Sequence, residues 1–103
     1  FARVDSVAAS GGGAKGDLFL RLQADIFGVP VVTLSAASEG GAYGAGLIAG
    51  LGAGWYASPE EAVSVLKTER RILPDPETRP AYDRAFLRYS EIYPALKPVF
   101  HMA

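Results

Sequence analysis

The residues best suited to chemistry occupy positions 10–17, which read Ser-Gly-Gly-Gly-Ala-Lys-Gly-Asp. An apolar core has no use for three consecutive glycines. A bend whose backbone lies against a ligand requires such glycines, because glycine lacks Cβ and reaches positive φ at little steric cost. A strand-like run precedes the bend and a helix-like run follows it, so free amides and the positive end of a helix dipole point toward it. We interpret this segment as the wall of a nucleotide site.

Rival motifs fit less well. Lys15 precedes Gly16 and no Ser or Thr follows, which excludes a Walker A loop. Residues 44–50 imitate a dinucleotide fingerprint, but the last spacing is one residue too long and the run is helix-like. His101 is the only histidine and there is no cysteine, so neither a His-based triad nor a zinc site is expected within the chain. Asp17 is expected to stabilise a helix start rather than act as a base, and Lys15 either reaches a phosphate or lies in solvent.

Composition indicates a globular protein. Half of the 103 residues are hydrophobic, a fifth are charged, and the formal net charge is −1. Lys and Arg are scattered, which argues against a nucleic-acid partner and against a polybasic membrane surface. No stretch reaches the roughly 18 apolar residues of a membrane span, no signal peptide is visible, and the lack of cysteine fits the cytoplasm. Because strand-like residues begin directly at Phe1, we expect an excised C-terminal piece of a longer chain; a processed or tagged chain is the alternative.

The first half of the chain predicts a βαβ unit. A strand over 1–9 is followed by an amphipathic helix over 14–27, in which Leu18, Leu22 and Ile26 recur every four residues. Gly28 and Pro30 end this helix, and the β-branched residues of 29–34 predict a buried strand.

The glycine-rich run that follows predicts a second helix, over 39–52, with small residues where another element packs closely; the alternative is a flexible loop. Ser58, Pro59 and Glu61 form a capping box that opens a helix ending near Leu66. Residues 68–73 are either a short strand or a loop with solvated arginines.

The last predicted helix opens at Asp75-Pro76 and ends at Pro94 and Pro98. Its aromatic residues recur at spacings of four, three and four, at Tyr82, Phe86, Tyr89 and Tyr93. We expect this row to pack on the rest of the protein; stacking on a base or cofactor is the alternative.

These segments together resemble a known family. Residues 11–16 (GGGAKG) and 23–31 (QADIFGVPV), with the spacing to Glu39 and to 44–45, look like the C-terminal part of the FGGY carbohydrate kinases. The tail residues 74–77, with Tyr82, Tyr89 and 93–96, are similar to xylulokinase-like members.

The resemblance implies a fold and a site. Such kinases have two α/β domains of the actin/hexokinase/Hsp70 type, which is ribonuclease H-like, and residues 1–103 would be the C-terminal part of the second, nucleotide-binding domain. No complete second domain is expected within the chain. The family's glycine loop implies an ATP pocket lined by Gly11, Gly12, Gly13, Ala14 and Gly16, where Gly16 stands in place of a Ser or Asn found in many members.

The implied reaction is transfer of the ATP γ-phosphoryl group to the hydroxyl of a sugar, such as the pentulose xylulose, with Mg²⁺ as the metal. The catalytic base and the sugar-binding residues would lie upstream, in the missing N-terminal part of the same enzyme. The chain alone would hold no catalytic residue, supply no metal ligand and be inactive. Two alternatives are a non-catalytic interaction domain and an ATP-binding member of the same superfamily that is not a sugar kinase.

Overall fold

Strands and helices alternate along the chain, and this computed structural model describes residues 3–102. Three strands and four α-helices follow one another as β1 (Val7–Ala9), α1 (Asp17–Phe27), β2 (Val31–Leu34), α2 (Gly40–Gly52), α3 (Pro59–Ser64), β3 (Thr68–Ile72) and α4 (Arg79–Phe100). Two 3₁₀ turns, Gly12–Lys15 and Ala37–Glu39, precede α1 and α2. The predicted first strand began at Phe1; Phe1 and Ala2 lie outside the described residues, and the strand itself is shorter than predicted.

The three strands form one mixed sheet in the order β1-β2-β3. β1 and β2 are parallel, with Val7 opposite Val31, and α1 connects them, which confirms the predicted βαβ unit. β3 pairs antiparallel with the other side of β2, with Ile72 opposite Val31. The sequence left 68–73 open between strand and loop; this pairing partner, more than 30 residues away, makes it a strand.

The core lies between α1 and one face of the sheet. Leu20 and Ala24 of α1 pack against Ala9 and Val31, and Leu20 and Val31 are fully buried. The helix is as predicted, but the four-residue repeat of Leu18, Leu22 and Ile26 is not its buried face, since Leu18 is 71% exposed. The small side chain of Ala24 permits close approach to the sheet, so the helix turns that face inward.

The glycine-rich segment is a helix of 13 residues, α2, rather than a loop. Close packing occurs at only part of its glycines. A Cβ on Gly50 would lie 2.8 Å from the Tyr56 ring, and one on Gly40 would lie 3.4 Å from Ser10. Within the described part of the chain, nothing lies within 4 Å of such a Cβ at the four other glycines, Gly41, Gly44, Gly46 and Gly52. The predicted close packing is therefore wrong for most of this helix.

α3 begins where the sequence indicated. Ser58 Oγ accepts from the Glu61 amide at 3.2 Å, and Glu61 Oε2 accepts from the Ala57 amide at 2.6 Å. The reciprocal bond therefore reaches one residue further back than the capping box predicted. The helix ends at Ser64, earlier than the predicted Leu66.

α4 differs from its prediction at both ends. Asp75 forms a turn instead of a helix start, because its carbonyl accepts from Thr78 and its Oδ1 accepts from the Glu77 amide at 2.9 Å. The helix begins at Arg79 and continues through Pro94 and Pro98 to Phe100. Each proline removes its own amide hydrogen bond and crowds the carbonyl four residues earlier, at a cost of about 3 kcal/mol, yet the surrounding turns remain helical.

Most of the aromatic row of α4 does not pack on the described part of the chain: Tyr82 is half-buried, whereas Phe86, Tyr89 and Tyr93 are each more than 60% exposed. None of the 22 residues of this helix, all of them described, is buried, and Tyr89 is 70% exposed. Among residues 3–102, no helix combines the length and the hydropathy that crossing a bilayer requires.

Candidate functional site

The glycine bend leads from the end of β1 to the start of α1. Gly11 has φ 80° and ψ −168°, a conformation that only glycine adopts freely, and it precedes the 3₁₀ turn Gly12–Lys15. The Ala14 amide donates to the Gly11 carbonyl at 3.1 Å. Gly16 is extended and forms the N-cap of α1. The bend thus ends at a helix N-terminus, where amides lack intrahelical acceptors.

The surface of this bend is open at two of its three consecutive glycines. A Cβ on Gly11 or on Gly12 would meet no heavy atom of the described residues within 4 Å. A Cβ on Gly13 would lie 2.9 Å from the ring of Phe19, and one on Gly16 would lie 3.9 Å from Phe19 Cβ. The fold explains glycine at position 11 by backbone conformation and at position 13 by the Phe19 contact. It offers no internal reason for glycine at position 12.

Ala14 differs from the other predicted site residues because its side chain belongs to the core. It is 8% exposed and packs with Leu20 and Ala24 of α1. Only its backbone is therefore available to a ligand at the bend. Ala14 and Lys15 also border an open depression of about 410 Å³ between the bend and the end of the sheet, together with Thr33, Ala36, Ser38, Glu69 and Arg70.

An ion pair holds the start of α1. Asp17 is the first residue of the helix, as predicted for a stabilising charge, and its Oδ1 lies 2.7 Å from Arg70 Nη1 on β3. The sequence placed Arg70 in solvent, whereas the strand pairing brings it to Asp17. Because both side chains are partly exposed, the pair contributes at most about 1 kcal/mol. It nevertheless ties the beginning of α1 to the far edge of the sheet.

The other end of α1 is held by the segment before α4. Asp25 Oδ1 accepts from the Asp75 amide at 2.7 Å, and Arg79 Nη1 donates to the Ile26 carbonyl at 3.4 Å. Gly28 has φ 69°, and a Cβ there would overlap the Arg79 guanidinium. The sequence predicted Gly28 as a helix end but not this contact, since nothing local links it to a residue 51 positions away.

A second concavity lies beside the bend, on the other face of the sheet. It has a volume of about 250 Å³, and Ser10, the residue before the first glycine, is one of the residues that line it. The ends of β1 and β2 and the start of α2 line it, with Tyr43 and Leu47 among the side chains. None of the five predicted site residues lines this cavity. The sequence signal was present in Gly40 and Gly44, whose missing side chains leave room there.

The chain belongs to the FGGY family of carbohydrate kinases. Residues 2–53 match the sequence model of the family's C-terminal domain, and this match spans the bend and α2. The family resemblance predicted from the sequence is therefore confirmed.

Individual relatives agree with this assignment. A xylulose kinase of Staphylococcus epidermidis is 35% identical over 95 residues, covering 91% of this chain and 19% of that kinase. A xylulose kinase of Bacillus subtilis is 37% identical over 91 residues, covering 87% of this chain and 18% of that kinase. A glycerol kinase of an Acidovorax species is 41% identical over 73 residues, covering 71% and 14%. The chain thus spans about a fifth or less of the length of these relatives.

Solved structures confirm the fold. The ligand-bound xylulose kinase of Lactobacillus acidophilus superposes with a TM-score of 0.79 at 28% identity, over 93% of this chain and 19% of that one. A gluconate kinase of the same organism gives a TM-score of 0.72 at 26% identity, over 92% and 19%. The predicted class, an α/β fold of the actin/hexokinase type, is therefore correct.

Proposed function

We propose that this chain forms the adenine-nucleotide side of the cleft of an ATP-dependent carbohydrate kinase. Residues 1–103 are, in this proposal, the C-terminal part of its second, nucleotide-binding domain. The predicted site residues Gly11, Gly12, Gly13, Ala14 and Gly16 line the ATP pocket. The observation that carries the proposal is the open main-chain surface at Gly12, for which the fold itself has no use.

The sugar in this proposal is a pentulose such as xylulose. Its support is that the relatives aligning over about nine tenths of this chain are named xylulose kinases. Glycerol and gluconate kinases are also similar, so the residues that select the sugar belong to other parts of the polypeptide.

The chemical contribution of the bend is to position the nucleotide. A side-chain-free surface lets a flat base approach the main chain, and the N-terminus of α1 offers unpaired amides beside it. Holding ATP in line with a sugar hydroxyl is a large part of what phosphoryl transfer requires. The base that accepts the hydroxyl proton is assigned to the N-terminal part of the kinase.

The protein ligands of Mg²⁺ would lie, in this proposal, in the N-terminal part of the kinase, and the ion would neutralise charge on the nucleotide phosphates. Within residues 3–102, no three His, Asp or Glu side chains gather closely enough to hold a metal ion, so we assign its protein ligands elsewhere. We place the kinase in the cytoplasm, where ATP is available. The chain has no cysteine, so it forms no disulfide that would require an oxidising compartment.

MgATP titration of the full-length kinase by calorimetry tests the site. Gly12→Leu fills the open space and should raise the Kd for MgATP at least tenfold, because a branched side chain displaces the base from the main chain. Gly12→Ala should raise the Kd for MgATP several-fold less than Gly12→Leu does. Gly46→Ala, at an exposed helical glycine with equally open surroundings, should leave the Kd unchanged.

The proposal fails if Gly12→Leu binds MgATP like the wild type while its melting temperature is also unchanged. If the wild-type kinase shows no nucleotide binding at all but forms a stable complex with another protein, the interaction-domain alternative is correct instead.

A further inference from the structure

A buried hydroxyl at the end of β2 lacks a hydrogen-bond partner. Thr33 is 3% exposed, and among the described residues nothing forms a hydrogen bond with its Oγ1. Burying a hydroxyl without a partner costs free energy, and such groups are rare in folded proteins. Because this chain itself already buries the oxygen, neither solvent nor a bound molecule reaches it. Only a movement of the surrounding chain can therefore supply its partner.

The side chain of Thr33 lies next to the glycine bend. Residues two apart on a strand share a face, so Thr33 is on the same side of the sheet as Val31, which packs against α1. Thr33 is directly opposite Ala9, the last residue of β1 before the bend. Together with Ala14 and Lys15 it borders the open depression of about 410 Å³. The hydroxyl without a partner is therefore close to the end of the 3₁₀ turn.

The neighbouring edge of the sheet is irregular at this depression. Thr33 pairs with Arg70. The next residue, Leu34, pairs with Thr68, so Glu69 is an extra residue of β3. In a regular strand Glu69 and Arg70 would point to opposite faces, whereas both line the depression. The space beside the turn is thus bounded by strands of this chain, and it leaves room for the turn to move toward β2.

Glycines flank the turn Gly12–Lys15 on both sides. Gly11 precedes it with φ 80°, and Gly16 follows it in an extended conformation. Glycine absorbs torsional changes at little steric cost, so the turn can rotate without strain in β1 or α1. The methyl group of Ala14 stays in the core, which keeps this rotation small. Lys15 is the last residue of the turn, where carbonyls have no donor within the turn.

We propose that Thr33 is a positioning residue for the nucleotide. When the nucleotide lies against Gly12, the turn rotates onto β2, and the Thr33 hydroxyl donates to a carbonyl at the end of the turn, that of Ala14 or Lys15. The inference rests on the proposed function, because it takes the bend to be the nucleotide site. The hydroxyl does not touch the nucleotide. Its hydrogen bond exists only in the bound state and so strengthens binding, whereas in the free kinase the same hydroxyl is destabilising.

Replacing Thr33 by valine separates the two states. Thr33→Val keeps the β-branched shape and removes only the hydroxyl. In the full-length kinase it should raise the Kd for MgATP about five- to tenfold in calorimetry, because the bound state loses a hydrogen bond. Without nucleotide its melting temperature should equal or exceed that of the wild type, because the free state loses only an unpaired group. Thr33→Ser keeps the hydroxyl and should bind MgATP nearly as tightly as the wild type.

Thr78→Val is the matched control. Thr78 Oγ1 already donates to the Asp75 carbonyl at 2.9 Å. The same substitution should therefore lower the melting temperature there and leave the Kd for MgATP unchanged.

An unchanged Kd for Thr33→Val would overturn the proposal. A melting temperature below that of the wild type would also overturn it, since the hydroxyl would then be paired in the free kinase. If Thr33→Ser bound as weakly as Thr33→Val, the hydroxyl would not be the cause, and the proposal would again be wrong. A wild-type kinase that binds no MgATP would contradict the proposed function and this inference with it, whereas an unchanged Kd for Thr33→Val contradicts the inference alone.

Discussion

The glycine bend and the exposed part of the aromatic row of α4 (Phe86, Tyr89 and Tyr93) are both open to solvent, for opposite reasons. At Gly12 the chain lacks a side chain where the fold would accept one, so the surface is bare main chain that suits a flat small molecule. On α4 the chain carries large apolar side chains where water surrounds them, which costs free energy until another surface covers them. Backbone openness thus points to a ligand, whereas side-chain exposure points to a polypeptide.

Truncation of Phe86 should have the largest effect and tests the aromatic row directly. Phe86 is 64% exposed in the described chain, so Phe86→Ala would be nearly neutral if the row stayed uncovered. If another part of the full-length kinase covers the row, as the sequence predicts, the substitution should lower the free energy of unfolding by about 3 kcal/mol. The measurement is urea denaturation. Leu87→Ala, an exposed neighbour on the opposite side, should cost under about 0.5 kcal/mol.

Truncation of Leu20 should come next and tests the support of the bend. This side chain is fully buried between α1 and the sheet, so Leu20→Ala should cost about 2–3 kcal/mol by removing apolar contacts and leaving a cavity. Thermal unfolding with Leu18→Ala as the matched variant provides the comparison. A loss at Leu18 as large as that at Leu20 would mean that the outer face of α1 is also covered in the intact kinase.

Substitution of Gly28 should have a smaller effect and tests the link between the two regions. Its φ of 69° disfavours any side chain, and a Cβ would displace Arg79 from the end of α1. Gly28→Ala should therefore cost about 1–2 kcal/mol. Combining it with Arg79→Ala in a double-mutant cycle should show that the two losses are not additive; full additivity would argue against the contact.

The smallest effect is expected at the ion pair between Asp17 and Arg70, at the start of α1. Asp17→Asn removes the charge that faces Arg70, and because both side chains are partly exposed the cost should be below about 1 kcal/mol. The difference from wild type should shrink further at 1 M salt, where exposed charges are screened. A loss that did not depend on salt would mean that the helix start depends on Asp17 in some other way.

Features that depend on residues close together in the sequence were predicted correctly, whereas features that depend on residues far apart in the sequence were not. Gly28, Pro30 and Ser58 act on backbone within four residues of themselves, and the helix boundaries they predicted are correct or nearly so. Arg70 and the 68–72 strand depend on pairing with β2 and could not be decided locally. The glycine bend could be predicted because three adjacent glycines permit a sharp backbone bend whatever the rest of the fold. The cavity beside it requires β1, β2 and α2 to meet and was not predicted.

By itself the sequence determined the order of the helices, the βαβ unit, the position of the bend and the family. Each of these depends on signals carried within a few neighbouring residues, where torsional preference and helix capping act. Only the tertiary structure decided that α1 buries Leu20 rather than Leu18, that α4 passes through two prolines, and that the aromatic row remains outside the core. The reason is that burial is a competition among all apolar surfaces of a fold, which no single segment contains.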